Sequence, residues 1–131
     1  MADAVPVPDA HAGHAGQATR ILAIRHGETA WNAETRMQGQ LDVPLNEVGR
    51  WQAERVAGAL ADESLDALYS SDLERAVQTA EPLARVCGVP IVTDTGLRER
   101  CFGVFQGLTF AEVEARWPDD SRRWRRRDPD F

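Results

Sequence analysis

The sequence predicts an α/β domain of the three-layer α/β/α kind, built around a mainly parallel sheet. Two observations carry that expectation. Short apolar runs of strand type, at Ile21–Ile24, Leu65–Tyr69 and Ile91–Thr93, alternate with stretches of helical character. The first of these runs also lacks polar alternation, as expected of a strand covered on both faces.

Residues 1–19 are rich in Ala, Pro, Gly and Asp and have no periodicity, which predicts a disordered tail. His11 and His14 lie in that tail without further ligand residues, and they are assigned no role. Ordered structure is expected from Arg20, with Ile21–Ile24 as the first strand and Arg25-His26-Gly27 leaving its end. Trp31 to Val43 shows no period and reads as loop with short turns. Asn46 is a good N-cap and Glu47 suits a first helical turn, so a helix should run from Glu47 to Ala61. Its apolar stripe is expected at Val48, Gln52, Val56, Ala59 and Leu60.

Leu65–Tyr69 is the second expected strand. Ser71-Asp72-Leu73-Glu74 fits a capping box opening a helix to about Val86, which Gly88 stops. Ile91–Thr93 is the third strand. Thr109-Phe110-Ala111-Glu112 is another capping box, opening a short helix that Pro118 ends. From Ser121 the chain carries five arginines in the six positions Arg122 to Arg127.

Composition narrows the functional classes. The chain has 131 residues with 43% hydrophobic content, enough for one core. No apolar run approaches the roughly 20 residues of a membrane span. Met1–Gln17 lacks the features of a secretory signal, so a soluble cytoplasmic protein is expected. The net charge of −6 argues against nucleic acid or membranes as partners. Acidic residues flank the arginine cluster, which reads as solvated surface or as a lip steering anions. Cys87 and Cys101 have neither metal-ligand nor redox spacing. Trp31, Trp51, Trp117 and Trp124 read as packing residues. All 15 basic residues are arginine. Lysine chemistry is therefore excluded, and any phosphate must be held by guanidinium groups, main-chain amides, neutral polar side chains or histidine.

In an open α/β sheet, ligands bind beyond the carboxyl ends of the strands. Arg25-His26-Gly27 and Ser70-Ser71-Asp72 occupy those ends, and Arg75 lies in the first turn of the following helix. One histidine and two arginines thus face one mouth. Positive neighbours disfavour the imidazolium and keep a ring nitrogen free as a nucleophile. The arginines would neutralise a phosphoryl group, and Glu99 is the best-placed carboxylic acid for a leaving oxygen. On spacing alone, His26 fits equally a hydrogen-bonded turn residue among surface arginines.

Six blocks in order resemble the histidine phosphatase superfamily, the phosphoglycerate mutase-like proteins. They are Arg25-His26-Gly27-Glu28-Thr29 with Trp31-Asn32; Arg36-Met37-Gln38-Gly39; Pro44-Leu45-Asn46-Glu47 with Gly49; Tyr69-Ser70-Ser71-Asp72-Leu73; Arg75-Ala76 with Thr79-Ala80; and Leu97-Arg98-Glu99 with Gly103 and Gly107. The resemblance covers nearly everything from Arg20 onward. It implies a phosphoglycerate mutase-like fold, with residues 20–131 as the N-terminal portion of such a domain. It also implies His26 as the nucleophile forming a phosphohistidine, with Glu99 as acid and then base. Arg25 and Arg75 would clamp the phosphoryl group, Asn32 would donate to it, and Gln38 and Gly39 would line the substrate side. The Gly27 carbonyl would orient the imidazole. No metal or organic cofactor is implied.

The sequence departs from the family pattern in two places. Phe105-Gln106-Gly107 stands where many members have Trp-Glu-Gly, read as tolerated variation at a turn. The family's second active-site histidine, in a Thr-His-Gly-like block, has no counterpart before Phe131. A fragment is therefore expected, incomplete at its C-terminus, whose first strand would have an unpaired edge. Three functions follow from the resemblance: a phosphatase acting on a small phosphorylated metabolite, favoured by the compact Asp72–Glu99 connection and by Met37-Gln38-Gly39; a phosphoglycerate mutase; or a non-catalytic phosphate-binding module.

Overall fold

The structure, a computed structural model, describes residues 18–131. The expectations for residues 1–17, including those for His11 and His14, lie outside the described residues. The element order is α1 (Ala30–Ala33), α2 (Glu47–Ala59), β1 (Leu68–Ser70), α3 (Glu74–Cys87), β2 (Ile91–Thr93), α4 (Phe110–Arg116) and α5 (Pro118–Arg125). Two 3-10 turns, Thr95–Leu97 and Gly103–Phe105, lie between β2 and α4. The fold is mixed α/β, with an open parallel sheet flanked by helices. β1 pairs with β2 in parallel, with Leu68 opposite Ile91 and Ser70 opposite Thr93, and α3 crosses over between them.

The sheet is smaller than the sequence predicts. Ile21–Ile24 is not a strand here: Ile21 is 83% exposed, and Leu22 and Ile24 are each 40% exposed. A strand exists only through its ladder partner. Among the described residues, no main-chain hydrogen bond joins 21–24 to another segment. Arg20 is nevertheless ion-paired with Glu63.

The predicted stripe of α2 is rotated by one residue. Its buried side is Gly49, Ala53 and Ala57, whereas Val48 is 47% exposed. Small residues win this face because α2 lies directly against α3, whose buried side is Arg75, Thr79, Ala80, Pro82 and Leu83. Asn46 caps α2 by accepting from the Gly49 amide at 2.8 Å.

The predicted Ser71 capping box is not formed. α3 begins at Glu74, and its first amide donates to Asp42 Oδ1 at 2.7 Å, a cap supplied from a distant loop. Gly88, with φ of 68°, ends the helix in the left-handed region, as its placement predicts. The Thr109–Glu112 capping box of α4 is present. Pro118 ends α4 and opens α5, where a ring at the first helical position costs no hydrogen bond, so the arginine-rich segment is helical. Around α4 and α5, Phe105, Phe110, Trp117, Trp124 and Phe131 form an aromatic cluster with centroids 5.6–6.3 Å apart, and Val113 of α4 is fully buried.

Candidate active site

The segment from Gly27 to Leu45 is pinned to both helices of the α2–α3 pair. The Gly27 amide donates to Thr79 Oγ1 on α3 at 2.9 Å, and the Glu28 amide donates to Gln52 Oε1 on α2 at 2.9 Å. Gly27 also meets Gly49 without side chains between them. A Cβ on Gly27 would lie 2.5 Å from the Gly49 carbonyl oxygen, and one on Gly49 would lie 2.0 Å from the Glu28 carbonyl oxygen. Only glycine allows backbone to rest on backbone so closely.

His26 follows directly from this anchoring. Its Nδ1 lies 2.7 Å from the Gly27 carbonyl. A carbonyl can only accept, so Nδ1 carries the proton and Nε2 keeps its lone pair. The imidazole pKa is lowered, first by burial and secondarily by the positive charges of Arg75 and Arg25. The Gly27 hydrogen bond and Glu99 act in the opposite direction. Burial therefore outweighs the arginines, the cause to which the sequence points.

Arg25, His26, Asn32, Gln38, Gly39, Arg75 and Glu99 line one cleft of about 230 Å³, so seven of the eight residues singled out from the sequence converge. Gly27, the eighth, sits behind the imidazole as its hydrogen-bond acceptor. Arg75 is 2% exposed; its Nη1 donates to the Leu41 carbonyl at 2.8 Å and its Nη2 to the Gly39 carbonyl at 2.5 Å. Among the described residues its Nε is buried without a partner. Burial lowers this guanidinium's pKa, against the pull of Glu99 and Asp42. Glu99 is exposed; its carboxylate accepts from the Arg100 amide at 2.8 Å, and its carbonyl accepts from Gln40 Nε2 at 3.1 Å.

Ser70 and Ser71 are buried but stay out of the cleft, and Ser70 Oγ donates to the Ser71 carbonyl at 2.8 Å. Asp72 instead binds Arg98, one residue before Glu99, with Arg98 Nε 2.6 Å from Asp72 Oδ1.

Two lining residues, Arg36 and Phe102, carried no assigned role from sequence. Arg36 is a strut: its Nη1 reaches the Gly107 carbonyl and Glu112 Oε2, both at 3.0 Å, and its Nε reaches Glu34 at 2.9 Å. Its place in the Arg36-Met37-Gln38-Gly39 block was the signal that it borders the site. Gln106, at the departure from Trp-Glu-Gly, accepts from the Gln40 amide at 2.9 Å and packs under Gly39, whose φ is 54°. A larger hollow of about 290 Å³ lies beyond Phe102, walled by Phe105, Trp124 and Phe131. It contains Cys101 but none of the groups around His26. The smaller cleft has the chemistry.

The family model for the histidine phosphatase superfamily (branch 1) matches residues 21–131. The chain is 50% identical over 101 residues to phosphoglycerate mutase-like protein 4 of Arabidopsis thaliana, covering 76% of this chain and 44% of that protein. It is 43% identical over 109 residues to the glucosyl-3-phosphoglycerate phosphatase of Mycobacterium tuberculosis, covering 83% of this chain and 49% of that one. A solved mycobacterial glucosyl-3-phosphoglycerate phosphatase in complex with VO3 superposes with a TM-score of 0.72 at 44% identity, over 76% of this chain and 48% of that chain. The chain thus spans about half the length of the curated relatives it matches.

Proposed function

The chain belongs to the histidine phosphatase superfamily, and from that premise we propose that it is a phosphomonoester phosphatase working through a phosphohistidine. The observation that carries this reading is the His26–Gly27 hydrogen bond. It commits the ring proton to Nδ1 and leaves Nε2 with its lone pair, on a residue that lines the cleft with Arg25, Arg75 and Glu99. In this reading Nε2 forms a bond to phosphorus as the ester P–O bond breaks. Arg25, Arg75 and Asn32 take up charge on the equatorial oxygens, with Gln38 and Gly39 on the substrate side. Glu99 protonates the leaving oxygen, then removes a proton from the water that cleaves the N–P bond.

The substrate is a small phosphorylated metabolite, by analogy with the phosphoglycerate esters named for the matched relatives. Residues 20–131 would act as the N-terminal portion of the catalytic domain. Among the described residues no helix is long and apolar enough to cross a membrane. In this reading the place of action is the cytoplasm, as the sequence leads one to expect.

The test is to expose the whole chain to a labelled phosphodonor and score acid-labile label on wild type and His26→Ala. Label on the wild type and none on the variant is expected; equal labelling removes His26 from the mechanism. Assaying a generic aryl phosphate beside 3-phosphoglycerate separates hydrolysis from mutase transfer. Release of inorganic phosphate with no isomerised product is the expected result.

A further inference from the structure

Thr29 is fully buried, at 0% exposure, between two amide side chains that line the cleft, and its hydrogen bonds determine which end of each amide is already occupied. The Thr29 main-chain amide donates to Asn32 Oδ1 at 3.0 Å, the return half of the α1 capping box. That bond ties up the Asn32 oxygen and leaves its NH2 group as the spare end. The Thr29 hydroxyl accepts from the Asn32 main-chain amide at 3.1 Å. Its single proton then has two oxygens in range, Gln38 Oε1 at 2.7 Å and Asn32 Oδ1 at 3.1 Å. The nearer, otherwise uncommitted Gln38 oxygen takes it, which leaves the Gln38 NH2 as that side chain's spare end.

We propose that Thr29 is a positioning residue that locks both amides with their N–H donors, rather than their carbonyl oxygens, available to an anion in the cleft. The chemistry requires such a lock. A glutamine amide is nearly symmetric in shape, and turning it over replaces two donors by an acceptor. Beside a phosphoryl oxygen, a carbonyl oxygen is repelled where an N–H binds. A buried hydroxyl can break that symmetry: one of its two lone pairs takes the Asn32 amide, and its single proton goes to the nearer oxygen, Gln38 Oε1 at 2.7 Å. Thr29 itself does not line the cleft, so its effect passes through Asn32 and Gln38. The inference rests on the phosphatase reading, in which the cleft takes a phosphoryl group.

Inorganic phosphate added to the whole chain, followed by nitrogen-edited NMR, tests it. In wild type, phosphate should shift the His26 ring signals together with the side-chain NH2 pairs of Asn32 and Gln38. Thr29→Val keeps the shape but removes the hydroxyl; its affinity for phosphate should fall roughly tenfold, with the Gln38 response lost. Thr29→Ser keeps the hydroxyl and should bind within about twofold of wild type. A merely structural role would change thermal stability in Thr29→Val while leaving the Gln38 response to phosphate intact, and that result overturns the proposal. The wild-type spectrum decides even if Thr29→Val does not fold: shifted His26 with silent Gln38 NH2 signals rules the lock out. No response at His26 would instead remove the phosphate-binding reading itself.

Discussion

Asp72 and Arg98 meet fork to fork. Arg98 Nε donates to Asp72 Oδ1 at 2.6 Å while Nη2 reaches Oδ2, so one guanidinium edge and both carboxylate oxygens are used. The pairing holds the residue just before Glu99 against the loop that follows β1. It depresses the Asp72 pKa, chiefly through the Arg98 hydrogen bonds. Arg98→Met should therefore leave KM for an aryl phosphate within about threefold but lower kcat by roughly tenfold to a hundredfold, because Glu99 would lose its bearing. An unchanged kcat would detach the pair from the site. The carboxyl of Asp72 is more acidic folded than unfolded. Its contribution to stability is thus present above about pH 3.9 and is lost as pH falls through the folded value. Melting curves of wild type and Asp72→Asn should converge on acidification.

His26 should titrate below its ordinary value of about 6.5, since burial and two guanidinium groups all disfavour the imidazolium. Folding lowers this pKa, so the unfolded chain binds the proton more readily. Stability is then full above about pH 6.5 and declines as pH drops towards the folded pKa. NMR titration of the ring reads the midpoint directly; a value at or above the ordinary one contradicts the packing described. Hydrolysis should keep its plateau some way below pH 6.5 before its acid limb.

The Gly27–Gly49 contact predicts an asymmetric alanine series. Gly49→Ala should destabilise by about 1–3 kcal/mol or more, because its Cβ would meet main chain, which cannot swing away. Gly27→Ala meets the same wall from the other side. Gly58, inside α2 with nothing within 4 Å of its missing Cβ, is the internal control. Gly58→Ala should stabilise by about 0.5–1 kcal/mol through helix propensity. Urea unfolding of the three variants reads the pattern, and a Gly49→Ala protein as stable as wild type would refute the close approach.

Among the described residues the Nε of Arg75 is buried without a partner, on a residue that lines the cleft. Inorganic phosphate or VO3 should raise Tm in proportion to the logarithm of its concentration above Kd. Arg75→Met should abolish that increment. Persistence of the full shift in Arg75→Met would place the anion elsewhere.

The candidate site was more legible from the sequence than the sheet. Arg25, His26, Asn32, Gln38, Gly39, Arg75 and Glu99 sit in motif blocks that are readable along the chain, whereas the contacts that seat them, such as Gly27 to Thr79 and Arg75 to Gly39, join distant segments. Ile21–Ile24 misled because an apolar run records the need for cover, not whether cover is present. Helix α1 was missed because its capping box uses Asn32 at the third position, where Glu or Gln is the usual sign. The stripe of α2 went to valine over glycine and alanine because hydropathy cannot register that two helices touch most closely where side chains are smallest. The cap of α3 comes from Asp42, more than thirty residues upstream, and no window of neighbouring sequence contains it.

The backbone contact between Gly27 and Gly49 works as a depth stop. It sets how far the turn after residue 26 can sink towards α2, and the bonds to Thr79 and Gln52 keep it from rising again. The imidazole thus takes its seat from two helices and not from the bare ribbon of Ile21–Ile24. A disturbance along that ribbon should reach the ring attenuated, whereas one extra methyl group on α2 would tilt it at once.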